Sequence, residues 1–411
     1  MSRKPGHHWW ATTLRAVWVL ISVIGLAASA WTVRSWASDP SLDSRLVAQG
    51  RHLLALTGPG SAAARDMQAY FPEGEFFTQV LTGIGLARLA SPALYPDIPQ
   101  AVRDEFRQGA WQTLLALENP DIADRFGQID ELESGVFFHG WRLQLINALV
   151  DAGMLDLRHD QLIEAQNILW AIDDSPAGWV QAYPGGYWPC DTVVGLAAVS
   201  AVLPDDAQPV IQRWMGVVKL DDATGLLPHQ VQADGQAIEG PRGSSQAIIQ
   251  TFWPSLAGGD PRQWASFKHQ FVARHLGVVA VREYPIGVDG RGDVDSGPLI
   301  GGLSLAASAV GLAAARANGD MRLAAALDHE IEWLAVGATR SDQRAYAVGA
   351  LPVADAFILW AKTTPVPETP AGDVPNPSPT WWLWAVVFAV PAITYLIVTL
   401  TQRRRRGVAH S

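Results

Sequence analysis

The side chains with the clearest chemical potential lie in a few Gly- and Pro-rich loops. Cys190, the only cysteine, follows the segment Tyr187-Trp188-Pro189 and precedes Asp191. A thiol in the first turn of a helix has its pKa lowered by the helix dipole, which suits a nucleophile or proton donor, whereas an adjacent carboxylate opposes that shift. A lone cysteine is also commonly a small buried hydrophobic residue. Cys190 is therefore a candidate catalytic residue with a structural alternative.

Three further residues could exchange protons. His139 lies near a predicted helix start, and a histidine with a pKa near neutrality can serve as general acid or base. Glu73 and Glu75 flank the start of another predicted helix, where they either cap the helix or act as acid or base in a cavity. The expected catalytic set is thus Cys190, His139, Glu75 and Glu73.

Aromatic and charged side chains in the same loops fit a substrate pocket, because rings offer contact area and a few polar groups fix orientation. Arg242 could bind an anionic group or pair with a carboxylate. For the Asp293-x-Asp295 pair, helix capping is favoured over metal binding, so we expect no metal or other cofactor. The expected substrate contacts are Tyr187, Trp188, Asp191, Trp141, Arg242, Tyr284, Asp293 and Asp295.

The loops recur along the chain. Each opens into an apolar helix, which is followed by a turn and an amphipathic helix, and the openings are roughly 53 residues apart, the spacing of repeated supersecondary units. They fall at Glu75, Val136, Cys190, Ser244, Ser296 and Ala350. Six apolar helices alternating with six amphipathic ones predict an all-α fold, an (α/α)6 toroid of six helical hairpins whose loops open at one end. An open helical solenoid is the alternative.

Local patterns predict where individual helices run. The stripe Trp264, Phe267, Phe271, His275 and Val278 predicts one amphipathic helix, and strand signals are scarce. The uncharged run 296–315 is rich in Gly, Ser and Pro, which favours a buried helix over a further membrane span.

Composition narrows the class of protein. The chain has 411 residues, a net charge of −10, one cysteine and 49% hydrophobic residues. These values exclude a disordered or disulfide-stapled protein, and the acidic balance argues against nucleic-acid binding. Near each end of the chain, basic residues flank an uncharged run that is long enough to cross a bilayer, and no Asp or Glu lies before Asp39 or after Asp373.

Basic flanks mark the cytoplasmic side of a membrane. We therefore expect a cytoplasmic N-terminus (1–15), a transmembrane helix (16–33), an exported helical domain (34–363), a Pro-rich spacer (364–379), a second transmembrane helix (380–402) and a basic cytoplasmic tail (403–411). Ala28-Ser29-Ala30 resembles a signal-peptidase site, so a cleaved signal peptide is the alternative for the first helix. In either case the main domain is extracytoplasmic at the cell membrane. With both helices retained, the two helices contact membrane lipid.

The second and third loops resemble the bacterial linalool dehydratase/isomerase family. His139 falls in the second repeat, and Pro184-Gly-Gly-Tyr187-Trp-Pro-Cys190-Asp191-Thr192 is similar to that family's Tyr…Cys-Asn-Thr segment. The resemblance covers roughly residues 40 to 362. It implies an (α/α)6 barrel and cofactor-free acid–base chemistry on an allylic alcohol. The family uses two cysteines and a tyrosine near the fourth repeat, whereas this chain has one cysteine and its tyrosine, Tyr284, comes later.

Three functions remain open from the sequence. The first is a membrane-anchored lyase or isomerase that acts on a small hydroxyl-bearing substrate. The second is a glycoside-active enzyme on surface polysaccharide, which would need two carboxylates such as Glu73 or Glu75 opposite Asp293 or Asp295. The third is a non-catalytic exported ligand-binding module.

Overall fold

A computed structural model describes residues 7–37, 42–256, 261–275, 277–368 and 381–408. These residues form 16 α-helices and seven short strands, so the predicted helical class is confirmed, although the all-α prediction did not include the strands. The helices are α1 (His7–Ala37), α2 (Leu42–Leu54), α3 (Ala62–Asp66), α4 (Gly74–Ala90), α5 (Gln100–Leu117), α6 (Pro120–Ala123), α7 (Gly135–Asp151), α8 (Arg158–Asp174), α9 (Pro189–Ser200), α10 (Pro204–Val217), α11 (Gly243–Leu256), α12 (Pro261–Phe271), α13 (Leu305–Ala317), α14 (Met321–Leu334), α15 (Pro352–Thr363) and α16 (Trp381–Val408).

The strands form three small antiparallel sheets. They are β1 (Gln230–Val231) with β2 (Ala237–Glu239), β3 (Val272–His275) with β4 (Val278–Arg282) and β5 (Leu303–Ser304), and β6 (Ala338–Arg340) with β7 (Gln343–Ala345). Residues 1–6 of the predicted N-terminal segment, residues 369–379 of the predicted spacer and residues 409–411 of the tail lie outside the described residues.

Buried and amphipathic helices alternate along the chain. Helices α4, α7, α9, α11, α13 and α15 are buried along most of their length, whereas α5, α8, α10 and α14 bury only one face. Each buried helix packs against the next one along the chain, and α15 packs back against α4. The buried helices pack closely because small residues face one another. For example, a Cβ at Gly140 of α7 would lie 3.1 Å from the backbone nitrogen of Gly195 in α9.

Aromatic side chains fill the space between the buried helices. The indole of Trp141 is fully buried, and its ring centroid lies 5.6 Å from that of Phe77, 5.5 Å from that of Phe252 and 5.5 Å from that of Trp360. These rings come from α7, α4, α11 and α15. Edge-to-face contacts of this kind stabilise a core beyond the burial of apolar area alone, so Trp141 holds four buried helices together.

Two stretches depart from the predicted helices. The amphipathic helix expected across residues 264–278 ends at Phe271, and the chain continues into β3, which pairs with β4. The β-branched Val278, Val279 and Val281 favour a pleated strand over a further helical turn. The fifth buried helix begins at Leu305 rather than near Ser296, because Gly297, Gly301 and Gly302 adopt left-handed φ angles that end regular helix.

A buried ionic cluster connects α14, the segment around β7 and α15. The Lys362 ammonium donates to Asp328 and to Glu332 at 2.6 Å each, the Tyr346 hydroxyl donates to Glu332 at 2.6 Å, and Arg344 also pairs with Glu332. Burial by itself raises the pKa of Glu332, but Lys362 and Arg344 outweigh it and lower that pKa to about 2. Each polar group of Glu332 is thus compensated, which is the condition for burying a charge.

Two helices are long and apolar enough to cross a membrane, Thr12–Ser35 within α1 and Trp382–Gln402 within α16. They pack against each other, and the Trp18 indole donates to the Pro391 carbonyl at 3.1 Å. Their ends nearest the helical domain contact α14. The Trp31 indole donates to the Trp333 carbonyl at 3.0 Å, and the Trp333 indole donates to Thr32 at 3.0 Å. The apolar run 296–315 supplies the shorter, mostly buried helix α13 instead.

Candidate functional site

The candidate site lies where the N-terminal ends of several buried helices meet. Glu73 directly precedes α4, Cys190 and Asp191 occupy the first turn of α9, and Arg242 directly precedes α11. Asp295 lies in the loop that leads to α13. Asp191 interacts electrostatically with both Glu73 and Asp295. Residues separated by more than 200 positions therefore share one site.

Glu73 is held by a tyrosine. The Tyr183 hydroxyl donates to Glu73 Oε1 at 2.8 Å. Burial raises the pKa of Glu73, and the hydrogen bond from Tyr183 offsets this only in part. Burial, together with the charges of Glu73 and Asp191, also raises the pKa of Tyr183, so its phenol stays protonated and remains a donor.

Cys190 and Asp191 form a buried pair. The Cys190 thiol donates to Asp191 Oδ1 at 3.6 Å. Burial and the neighbouring carboxylate raise the pKa of Cys190, which overrides the effect of the helix dipole expected from the sequence. Burial, with Glu73 and Asp295 nearby, also raises the pKa of Asp191. Cys190 is thus a neutral thiol that keeps its proton at neutral pH, and it is unsuited to nucleophilic attack as a thiolate.

Asp295 completes the acidic group. Asp295 is an exposed residue, but partial desolvation of its carboxyl group, together with the charges of Asp293 and Glu73, raises its pKa to about 7. Neighbouring carboxyl groups that cannot all ionise share protons among themselves. The cluster of Glu73, Cys190, Asp191 and Asp295 therefore retains exchangeable protons at neutral pH.

Arg242 borders this acidic group. Its Nε donates to Glu283 Oε1 at 2.7 Å, its Nη1 pairs with Asp293, and its guanidinium lies 5.5 Å from the centroid of the Tyr284 ring. Burial raises the pKa of Asp293, but the hydrogen bond and charge of Arg242 outweigh it and lower that pKa to about 2. Asp293 is therefore ionised at the pH where Asp295 is half protonated.

Two buried nitrogen atoms in this region have no hydrogen-bond partner within the described residues. They are Nη2 of Arg242 itself and Nδ1 of His229. Burial and the nearby Arg242 charge lower the pKa of His229 to about 4, so its imidazole is neutral. A neutral imidazole and a guanidinium donor can together orient a hydroxyl or other polar group of a substrate.

A small pocket opens beside Glu73. It has a volume of about 290 Å³, and its lining includes Glu73, Tyr183 and Arg125 together with the rings of Phe76 and Phe126. Aromatic walls with a few polar groups are the usual composition of a small-molecule site. Glu75 lies behind this pocket, where its Oε2 accepts from Arg125 at 2.7 Å. Glu75 is thus a paired carboxylate that positions Arg125.

His139 is not part of the acidic cluster. Its Nδ1 lies 2.7 Å from Glu164 Oε1, and its Nε2 lies 2.5 Å from the Glu133 carbonyl. Arg142 also pairs with Glu164 at 2.7 Å. Both ring nitrogens of His139 are therefore occupied by contacts that join α7 to α8 and to the preceding loop, and His139 has a structural role in this geometry.

The predicted substrate contacts lie in three different places. Trp188 packs edge-on against Tyr183 at 5.3 Å between centroids, and Tyr284 lies over Arg242, so both rings lie beside the acidic cluster. Trp141 lies in the fully buried core, out of reach of a ligand at the helix ends. Tyr187 borders a separate, open groove of about 1120 Å³ along with Trp170 and Trp179.

Four residues of the site were not singled out in the sequence: Tyr183, Arg125, Glu283 and His229. Tyr183 and Glu283 belong to loops that the repeat had marked, so their position was a usable signal. Arg125 and His229 lie outside those loops, and only their tertiary contacts identify them. In the described part of the chain, no three His, Cys, Asp or Glu side chains are arranged to hold a metal ion.

No protein-family profile matches this chain, and no curated protein is significantly similar to it in sequence. The resemblance to the linalool dehydratase/isomerase family thus depends on the short motifs around Cys190 and His139.

Proposed function

We propose that this protein is a membrane-anchored, extracytoplasmic enzyme that removes, adds or shifts a hydroxyl group on a small molecule by cofactor-independent acid–base chemistry. Its activity would be that of a lyase or isomerase of the linalool dehydratase type. The observation that carries the proposal is the cluster of Glu73, Cys190, Asp191 and Asp295, in which Glu73 raises the pKa values of Asp191 and Asp295 and itself lines an aromatic pocket.

The architecture proposed for the domain is an (α/α)6 toroid. Its support is the pairing of the six buried helices in chain order, with α15 packing back against α4. A further support is the outer position of the helices between them. In such a ring the six loops before the buried helices open at one end, which accounts for the convergence of Glu73, Cys190, Arg242 and Asp295.

The chemistry requires one acid and one base. Asp295, with a pKa of about 7, would protonate the leaving hydroxyl, so that the C–O bond breaks and water departs. An ionised member of the cluster, with Glu73 the best placed beside the pocket, would take the proton from the adjacent carbon as the double bond forms. The Cys190 thiol and Asp191 would return protons between these groups, and the reverse sequence adds water.

The first experiment compares Asp295→Asn with Asp289→Asn. Asp289 lies in the same loop, but its side chain is fully exposed and its nearest cation, Arg282, lies 3.8 Å away. Loss of a general acid lowers kcat by about 100-fold or more. We expect that loss for Asp295→Asn on an allylic alcohol substrate, and we expect activity of the unchanged chain to fall as the pH rises past about 7. Asp289→Asn should retain both the rate and the pH profile.

A second experiment uses Cys190→Ala to test whether the thiol takes part in turnover. It should abolish turnover while the thermal unfolding of the purified chain remains close to that of the unchanged protein, since one small buried side chain is lost. Full turnover in Cys190→Ala would remove the thiol from the mechanism. An unchanged rate in Asp295→Asn would remove the acid proposed here.

Glycoside hydrolysis is the second candidate. The observation in its favour is the contrast between Asp293, with a pKa of about 2, and Asp295, with a pKa of about 7, because paired carboxyl groups in opposite protonation states are the usual requirement of that reaction. Release of reducing ends from oligosaccharides by the purified chain, with no turnover of alcohols, would select this candidate.

A further inference from the structure

The end of the domain that carries the acidic cluster also has large apolar side chains exposed on its loops. Ile286 and Ile300, in the loop between β4 and β5, are 57% and 65% exposed, and Val348, between α14 and α15, is 90% exposed. Val294, Leu334 and Val336 belong to the same two loops or their ends and are also exposed. Loops at the opposite end of the buried helices expose fewer, among them Leu94 and Leu155.

Two of these residues are held in an unfavourable backbone conformation. Val336 and Val348 have φ angles of 50° and 60°, in the left-handed region that β-branched residues rarely adopt. A strained residue whose side chain points into water gains nothing from packing within the chain. Such strain persists where the surrounding structure imposes it, and it marks functional segments.

The membrane helices end at the same place. Trp333, three residues before Val336, is bonded to Trp31 and Thr32 of α1, and its ring lies 5.8 Å from that of Trp384 in α16. Residues 31, 32 and 384 belong to the ends of the two apolar spans that are nearest the domain. The C-terminal end of α14 therefore lies at the level of the membrane surface, and the loop that follows it begins there.

We propose that the apolar rim formed by Ile286, Val294, Ile300, Val336 and Val348 inserts into the interface of the lipid bilayer that holds α1 and α16. The entrance to the acidic cluster then faces the membrane, and the substrate is an amphiphilic alcohol that enters from the bilayer. This second statement depends on the proposed function, whereas the insertion of the rim does not.

We expect the bilayer to cover this surface, because the rim lies directly beside the membrane helices. The rim is adjacent to Trp333, which the membrane helices already contact, so a bilayer around those helices reaches the rim without any further partner. Aliphatic residues on loops beside a membrane anchor bind through burial of apolar area. The chain carries a net charge of −10, so attraction to anionic lipid does not account for docking, and the insertion should depend little on salt.

The experiment uses the full chain in phospholipid vesicles. Val348→Cys and, as the control, Leu155→Cys are each modified with an environment-sensitive dye; Leu155 is also exposed, at 56%, but lies at the opposite end. Cys190 is buried, so the unchanged chain serves as the control for unwanted modification. We expect the dye at position 348 to shift to the blue and to lose emission when spin-labelled phospholipid is included. The dye at position 155 should show neither change.

Equal emission from the two positions would overturn insertion. A blue shift at position 348 without quenching by spin-labelled lipid would also overturn it, because the rim would then be covered by protein, such as a second copy of the chain. Ile300→Cys provides an independent reporter if the Val348 variant fails to fold.

Turnover tests the substrate class. In vesicles, Val348→Asp should lose turnover of a long-chain allylic alcohol while keeping turnover of a short, water-soluble one, and Leu155→Asp should keep both. Equal loss or equal retention for the two alcohols would overturn entry from the bilayer. If the unchanged chain acts on neither alcohol, the proposed function fails, and the quenching result still decides the insertion.

Discussion

At the scale of single residues, the pKa of a buried carboxyl group depends on whether cations lie beside it. Glu332 is surrounded by cations and has a pKa of about 2, whereas Glu330, two positions away on α14, has a pKa of about 7. Burial raises the pKa of Glu330, and among the described residues its carboxyl group accepts one hydrogen bond, from the Val279 backbone N–H at 3.3 Å to Oε1. Within the described residues its Oε2 is buried with no partner.

Glu330 makes the stability of the fold depend on pH. Its pKa rises from 4.5 in the unfolded chain to about 7 in the folded one, so the folded state holds the extra proton between these values. The contribution of Glu330 to the free energy of unfolding should therefore be greatest below pH 4.5 and should decrease as the pH rises to about 7. The cost at pH 8 is about 3 kcal/mol. Glu330→Gln should recover much of it, measured by chemical unfolding of the purified chain at pH 5 and pH 8.

Glu118→Gln is the control for that measurement, because the Glu118 side chain is half exposed. It should leave the difference between the two pH values unchanged. If Glu330→Gln gives no more stabilisation at pH 8 than at pH 5, the carboxyl is not the source of the pH dependence.

At the scale of elements, close backbone contacts decide which helices pair. Between the two long apolar helices, the absence of a side chain on Gly25 lets α1 approach α16 so closely that any Cβ would overlap the Phe388 carbonyl oxygen. Small residues serve this purpose in membrane helices, since lipid supplies no hydrophobic force to bring helices together. The Trp18–Pro391 hydrogen bond fixes the same crossing.

Gly25→Leu should separate the two membrane helices. A protease site inserted in the segment between residues 369 and 380 allows α16 to be cut from the rest of the chain. We expect the cut fragment to co-purify with the unchanged protein in mild detergent and to be lost from Gly25→Leu. Val23→Leu, on the exposed side of α1, should retain it. Retention in Gly25→Leu would show that α14 alone holds the anchor.

At the scale of the whole molecule, the anchor and the site lie at one end. Helix α1 packs against both α16 and α14, and we infer from these contacts a retained anchor in preference to a cleaved signal peptide. A retained α1 and a spanning α16 place both termini on one side of the membrane, and the basic flanks predict that this side is cytoplasmic.

That topology predicts opposite protease sensitivities in two kinds of vesicle. Epitope tags at either end of the chain should be removed by added protease in inverted membrane vesicles and protected in right-side-out ones. A cleavage site placed in the exposed loop at Leu155, at the end of the domain opposite the apolar rim, should show the reverse pattern. Loss of the N-terminal tag before any protease is added would indicate a cleaved signal peptide.

Much of the architecture could be predicted from local patterns in the sequence. The apolar runs predicted the spans now found within α1 and α16, and five of the six repeat openings fall within a few residues of a buried helix start. These features depend on side chains close together in sequence, where the period of apolar residues is decisive. The fifth opening failed because the left-handed glycines 297, 301 and 302 delay the helix to Leu305.

The sequence by itself determined the helical class, the apolar ends and the loops that hold the candidate residues, because each follows from composition or short-range periodicity. The tertiary structure decided which of those residues share a site. It brought Glu73, Cys190, Asp191 and Asp295 together, gave His139 and Glu75 to ion pairs, and placed Trp141 in the core. It also reversed the expected shift at Cys190, because burial and the charge of neighbours depend on residues distant in the chain.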